Sequence, residues 1–280
     1  NKLIAYVKGD VDNLGKIFRT SFSFSKFATF SRMLETFFAG YLNNMLITNP
    51  KNLKTPGYSD SKTLDFRALY SVFAGGDDFF LIGPWDKTID FAKVLRNKFR
   101  EFCMNNPDLT FSIGIFLAKP HEPLSFCARN VEKQLKLSKQ RTNAEGEEIK
   151  DGITLFGQTV SWGDLDIILE NADKIVEWLE RQPPVVPRGF AYNMRMYGEM
   201  AELSGIIGNK DISTEFLRFI PLLIYYTKRN LAKEEQKEAY QWAMSLLPST
   251  KAPKGNNVLR CLKVIMEYAL TFTRRNINES

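Results

Sequence analysis

Gly75-Gly76-Asp77-Asp78 stands between two short apolar runs, and no other feature of the 280 residues restricts the fold as much. Phe66 to Ala74 and Phe79 to Ile82 are rich in aromatic and β-branched residues and read as strands. Joined through Gly-Gly, they predict a tight antiparallel hairpin. Glycine and aspartate are also ordinary turn chemistry, so the hairpin alone names no function. A second constraint lies upstream. Leu3 to Val7 is a continuous apolar run, as expected of a strand covered on both faces, and it ends at Lys8-Gly9-Asp10-Val11-Asp12-Asn13-Leu14-Gly15.

The remaining pattern places these two motifs in one sheet. Lys16 to Ile47 is helical with a break near Thr20–Ser25, and Met33, Leu34, Phe37, Phe38, Tyr41, Leu42 and Met45 keep the spacing of a buried face. Asn49 to Lys62 is a polar loop. Lys87 to Asn105 and Pro123 to Gln140 read as helices, Leu109 to Leu117 as a strand, and Gly152 to Phe156 as a last short strand. The order β-α-β-β-α-β-α-β predicts an α/β (α+β) ferredoxin-like palm with additions over 1–162. Arg141 to Asp151 is a charged loop. From 163 to 280 the pattern is helical, near Asp164–Arg181, Arg188–Ile207, Ser213–Asn230, Lys233–Leu247 and Asn256–Asn276, with breaks at Pro183-Pro184, Gly208 and Pro248 to Gly255. That half is expected to be an all-helical domain of ordinary size.

Charge and cysteine usage narrow the chemistry. Of the net charge of +6, most falls before Gly163, where 22 Lys+Arg face 17 Asp+Glu. Such an excess beside an acidic site suits a polyanion such as a nucleotide or RNA, and equally a solvated surface. Three scattered cysteines and one histidine, His121, give neither a zinc-ligand spacing nor a disulfide framework. No apolar run approaches membrane-span length, and a reducing, cytoplasmic setting is expected. The chain starts at Asn1 already close to a strand, which reads as a piece of a longer protein.

Asp10 sits where a buried strand ends, and Asp77 and Asp78 sit in a hairpin turn. In a palm these strands are neighbours, so the carboxylates are expected to converge. Phosphoryl transfer from a nucleoside triphosphate needs in-line positioning and neutralised charge more than covalent help. Two Mg2+ or Mn2+ ions on hard oxygen ligands supply this. Gly75 and Gly76, lacking side chains, let a triphosphate approach the backbone. Clustered acidic groups are costly without a cation, which argues against an idle turn. Asp12 reads as a metal neighbour or a helix cap, the cap being preferred. The stripe Phe22, Phe24, Phe27, Phe30 reads as core, Ser31-Arg32 as a surface pair or a base or ribose contact, and Cys103 and Cys127 as buried packing groups.

The segments Lys8 to Gly15 and Phe73-Ala74-Gly75-Gly76-Asp77-Asp78-Phe79-Phe80 resemble the second palm domain of the large subunit of type III CRISPR effectors, the Csm type especially. The helical half resembles that subunit's C-terminal domain, for instance at Arg218-Phe219-Ile220-Pro221-Leu222-Leu223. More distantly the palm is similar to GGDEF diguanylate cyclases. The resemblance implies an oligoadenylate cyclase, using ATP in an antiviral complex when target RNA is bound. It implies Asp10, Asp77 and Asp78 as catalytic and metal-binding groups, with the Val11 carbonyl as an extra ligand. It sets Val11, Asn13, Gly15, Gly75, Gly76 and Lys139 against the nucleotide, although Lys139 is equally a solvated helix lysine. Ser112-Ile113-Gly114-Ile115 and Gln134 to Lys139 look like later cyclase segments. The implied partners are the rest of the large subunit with a first palm, other complex subunits, and guide and target RNA.

Two departures matter. No His-Asp pair occurs in these residues, so the family's HD nuclease segment is not among them, nor are its first palm and zinc-binding segment. Against a diguanylate cyclase, position 78 is Asp rather than the Glu of GGDEF, and Leu69 stands where the Asp of the product-inhibition motif would fall. The remaining alternative is a non-catalytic module binding RNA or subunits. Near-balanced charge in the helical half favours protein contacts there, with Arg274-Arg275 as an RNA contact.

Overall fold

A computed structural model describes residues 3–20, 23–48, 64–142, 147–204, 213–249 and 256–274. Phe22, Gly208, Arg275, the whole polar loop at 49–62 and part of the charged loop lie outside the described residues. The chain divides into two compact units, Lys2–Trp162 and Gly163–Ser280.

The first unit is built on a six-stranded sheet in the order β2-β3-β1-β4-β5-β6. Its strands are β1 Ile4–Val11, β2 Tyr70–Gly75, β3 Asp78–Pro84, β4 Phe111–Ala118, β5 Gly152–Leu155 and β6 Gln158–Ser161. β4 and β5 run parallel, and every other pairing is antiparallel. The first four strands with their helices form the ferredoxin-like palm, and β5 and β6 extend it. β2 is shorter than expected: the Leu69 N–H closes a turn on the Phe66 carbonyl (2.9 Å), so Phe66 is buried without belonging to a strand. β6 was not legible, because Gln158-Thr-Val-Ser carries a single buried apolar residue.

Helices cover the sheet unequally. α1 (Leu14–Thr20) and α2 (Phe24–Glu35) meet at the expected break, where Ser23 Oγ accepts from the Lys26 N–H (3.2 Å) and caps α2. α2 runs on through a π-helical segment, Thr36–Leu42, into α3 (Asn43–Ile47). The wider turn there lets the successive Phe37 and Phe38 both reach the core. With Phe79, Phe99 of α4 (Trp85–Phe102) and Phe111 they form a packed aromatic layer, ring centroids 5.0–6.3 Å apart. Gly9 belongs to this layer by absence, since a Cβ there would overlap the Phe79 ring. Left-handed Met104 and Asn105 end α4 earlier than the apolar pattern suggested.

The opposite face is covered by α5 (Leu124–Lys139), whose Cys127 and Val131 pack on Tyr6, Phe80 and Ala118. α5 approaches so closely at Gly114 that a Cβ would stand 2.2 Å from the Leu135 nitrogen. The phenylalanine stripe on α2 is a correction. Phe27 and Phe30 lean on Phe18, but Phe24 is 86% exposed, because α2 keeps the sheet for its C-terminal end. Burial pushes the Cys103 thiol to about 11, and Cys127 is fully buried, so both act as packing groups.

The second unit is helical among its described residues: α6 (Trp162–Glu180, starting at the boundary), α7 (Arg188–Leu203), α8 (Phe219–Asn230), α9 (Lys237–Ser245) and α10 (Asn257–Phe272). α7 and α10 cross closely at Gly198, where a Cβ would stand 2.9 Å from the Lys263 nitrogen. Trp178 and Trp242 meet edge to face at 5.9 Å, and Trp242 Nε1 donates to Asn171 Oδ1 (2.7 Å). No helix among the described residues is long and apolar enough to cross a membrane.

Candidate active site on the palm

Strand alternation decides which face the aspartates take. Tyr6 and Phe80 point toward α5, so Lys8 and Asp10 on β1, and Asp78 on β3, share that face. The register sets Asp10 directly opposite Asp78, with Cα atoms about 4.5–5.5 Å apart in such a pair. The Val11 N–H donates to the Asp77 carbonyl (3.0 Å) and locks the hairpin turn onto the end of β1. Gly76 takes the left-handed conformation at φ 59°, as the turn requires.

α5 supplies the cations and another acid. The Lys139 ammonium forms an ion pair with Asp10 Oδ2, and Lys8 Nζ pairs with Glu132 Oε2 at 2.6 Å. Asp10, Asp78 and Glu132 thus share this face with two ammoniums, and the charge of Asp77 in the turn acts on Asp78. The carboxyl of Asp78 is raised above its ordinary value by burial and by the negative charges of Asp77, Asp10 and Glu132, with Lys8 opposing. This face has an excess of negative charge, and hard oxygen donors suit Mg2+ or Mn2+. Asp10 and Asp78 fit such a role as a pair. The full convergence expected of three carboxylates is not seen: among the described residues no three His, Cys, Asp or Glu side chains come close enough to hold a metal ion.

Asp12 is a correction. It caps nothing: the Lys16 and Ile17 N–H groups go to the Asn13 carbonyl, and Asp12 is fully buried. Its carboxylate accepts from Ser112 Oγ (2.8 Å), Thr110 Oγ1 (2.9 Å) and the Asp151 N–H (3.1 Å). Beside this cluster opens a cleft of about 520 Å³, whose wall includes Asn13, Lys16, Thr110, Arg141 and Asp151. Gly15 is exposed at the start of α1, where an added Cβ would meet nothing. His121 is exposed in a loop, as are Ser31 and Arg32 on α2.

Sequence reasoning missed Glu35. At the C-terminal end of α2, its carboxylate accepts from the Gly76 N–H and lies 3.4 Å from where a Gly75 Cβ would stand. Only its helical spacing from Ser31 and Arg32 could have signalled it. Thr110, Arg96 and Asp151 were also missed, and Ser112 was singled out only as part of a later cyclase segment, since its contact with Asp12 depends on tertiary pairing.

The comparisons agree with this geometry. Residues 3–146 match the family model described as Cas10/Cmr2, second palm domain. Two relatives are CRISPR system single-strand-specific deoxyribonucleases Cas10/Csm1 (subtype III-A). The Methanocaldococcus jannaschii protein is 32% identical over 173 residues, 59% of this chain and 21% of the relative. The Mycobacterium tuberculosis protein is 32% identical over 206 residues, 69% and 24%. The chain thus spans under a quarter of either relative. Three solved Csm1–Csm4 cassettes share the fold over 97% of this chain. The cassette with pppApA has a TM-score of 0.71 at 20% identity and 36% coverage of that chain. The one with cA4 has 0.67, 20% and 37%, and the one with a single ATP has 0.68, 19% and 36%. With its aspartates paired across β1 and β3 in the matched segment, the chain belongs to the Cas10/Cmr2 family, and its first unit is the second palm domain of a Csm-type large subunit.

Proposed function

We propose that the palm unit carries out nucleotidyl transfer on ATP, making cyclic oligoadenylates within a type III antiviral effector complex. The observation that carries the reading is the direct cross-strand pairing of Asp10 with Asp78 beside the Lys139 ammonium. Asp10 and Asp78 would hold two Mg2+ or Mn2+ ions, with Asp77 and the Val11 carbonyl as further ligands. When bound, such ions neutralise charge on the attacking and leaving oxygens. The 3′-hydroxyl of one nucleotide attacks the α-phosphate of another; the new phosphodiester forms as the bond to pyrophosphate breaks. Gly76 leaves room for the nucleotide, Gly75 would do so once the Glu35 carboxylate beside it gives way, Asn13 and Gly15 border it at the start of α1, and Lys139 offers a compact ammonium to triphosphate oxygens.

Two nucleotides must lie in line at near-attack distance, and the described residues offer one pair of strand aspartates. The second nucleotide is assigned to a first palm in the rest of the large subunit. Exposed Tyr70, Val72 and Phe73 on the edge strand β2 offer apolar surface for such docking. Other subunits, guide RNA and target RNA complete the assembly.

The competing reading is a non-catalytic assembly module, favoured by the absence of a three-carboxylate cage among the described residues. One experiment separates them: incubate the assembled complex with each NTP, Mg2+ or Mn2+ and target RNA, and identify products by mass spectrometry. Cyclic oligoadenylates from ATP support the first reading; no nucleotide product under any condition supports the second.

A further inference from the structure

The two aspartates of Asp10-Val11-Asp12 have opposite surroundings. Asp10 is partly exposed and forms an ion pair with Lys139, whereas Asp12 is fully buried and accepts hydrogen bonds from two hydroxyls and a backbone N–H, with the Lys139 charge acting on it as well. A carboxylate taken out of water costs free energy unless its lone pairs are satisfied, so three donors converging on one buried group mark a built arrangement.

Each donor leads back to the site. Ser112 is the β4 residue paired with Asp10 across the sheet, and Thr110 also accepts the Asp12 N–H on its carbonyl (2.8 Å). Asp151, just before β5, is gripped from two further sides. Arg96 Nη2 donates to its carboxylate at 2.8 and 3.0 Å, and Arg141 Nη2 donates to its carbonyl at 3.0 Å. Arg141 follows Lys139 by two residues. The end of β1, the start of β4 and the return from α5 therefore meet at the Asp12 carboxylate.

We propose that Asp12 is the positioning residue of the site, fixing Asp10 and Lys139 relative to each other while touching neither metal nor nucleotide. The proposal rests on the nucleotidyl-transfer reading and divides labour within the motif: Asp10 faces the reaction, and Asp12 anchors it from behind. Asparagine can imitate Asp12. Its carbonyl, in the place of Oδ2, keeps the Asp151 N–H and the Thr110 hydroxyl, and its amide faces the Ser112 hydroxyl, which can turn and accept. Alanine leaves all three donors unpaired.

The test uses the full-length subunit in its assembled complex, comparing Asp12→Asn, Asp12→Ala and Asp10→Asn. Turnover is followed against Mn2+ concentration, and Mn2+-nucleotide affinity is titrated with a non-hydrolysable ATP analogue. Asp12→Ala is expected to raise the Mn2+ needed for half-maximal turnover by about 10-fold or more. Asp12→Asn should stay close to wild type, and Asp10→Asn should recover only in part as Mn2+ rises. If Asp12→Ala does not fold, Thr110→Val with Ser112→Ala strips two donors from the other side and should reproduce the shift. Asp12→Asn as inactive as Asp10→Asn would make Asp12 a ligand and overturn the proposal. A folded Asp12→Ala or Thr110→Val/Ser112→Ala protein with wild-type Mn2+ dependence would overturn it too. A wild-type complex that binds no Mn2+-nucleotide sinks the parent reading, and this one with it.

Discussion

The two faces of the palm sheet come from the same strands and differ by one residue in register. On one face Gly9, Phe79 and Phe111 join Phe37, Phe38 and Phe99 in a closed aromatic layer. On the other, Lys8, Asp10 and Asp78 stand among the ionisable groups of α5. The first face carries stability; the second gathers like charges that the fold alone gives no reason to assemble. The contrast teaches that the palm tolerates local electrostatic frustration on one side because the other side is packed well enough to hold the strands in register.

The largest effect should come from the aromatic side. Phe99→Ala, at the centre of that layer, is expected to cost about 3–5 kcal/mol, read as a fall in denaturation midpoint of the folded subunit. A loss under about 1 kcal/mol would break the claim that this face carries stability. By contrast, Asp77→Ala with Asp78→Ala should abolish cyclisation with the denaturation midpoint not lowered and RNA binding unchanged. Product formation at the normal rate by that folded variant would break the assignment of the charged face.

Gly114 sharpens the comparison, since it sets how closely α5 lies on the sheet. Gly114→Ala places a Cβ against Leu135 backbone, so α5 must shift, with an expected cost of about 1–3 kcal/mol. Turnover should fall further than stability explains, because Glu132 and Lys139 move with the helix. A variant of lowered stability but unaltered rate would show that α5 serves packing alone.

The smallest effect concerns Asp78 and has the opposite sign. Its carboxyl is raised in the folded chain by burial and by Asp77, Asp10 and Glu132. A raised carboxyl favours the fold where it is protonated, and that contribution is lost as pH rises through the folded value. Asp78→Asn, measured without divalent cations, should therefore be slightly more stable than wild type at neutral pH. The gain should shrink as pH falls through the ordinary carboxylate range, near 3.9. A gain that persists at low pH would point to packing rather than charge.

Much of this contrast was legible in the sequence. The continuous run before Asp10 and the Gly75-Gly76 turn located β1, the hairpin and their shared end, because backbone chemistry at those points is local. Helices α4 and α5 followed from apolar period. What could not be read depends on tertiary pairing. Asp12 looked like a cap because Ser112 and Thr110, 100 and 98 residues away, carry no signal of their own. Glu35 sits one turn from residues that drew attention, yet its contact with Gly76 exists only once α2 meets the hairpin. β6 pairs with β5 although its own residues scarcely alternate.

The proposed nucleotidyl transfer through Asp10 and Asp78 places the reaction on the charged face. Asp10→Asn tests it most directly, because Asp10 lies at an open strand end and its loss removes charge without opening a cavity. Cyclic oligoadenylate formation by the assembled complex should be followed with ATP, target RNA and Mg2+, then with rising Mn2+, beside the denaturation midpoint of the variant. The account predicts a rate loss of at least ~10²-fold, partial recovery in Mn2+, and a midpoint like that of wild type. A variant whose rate and metal dependence both match wild type would contradict it and make Asp10 a structural residue.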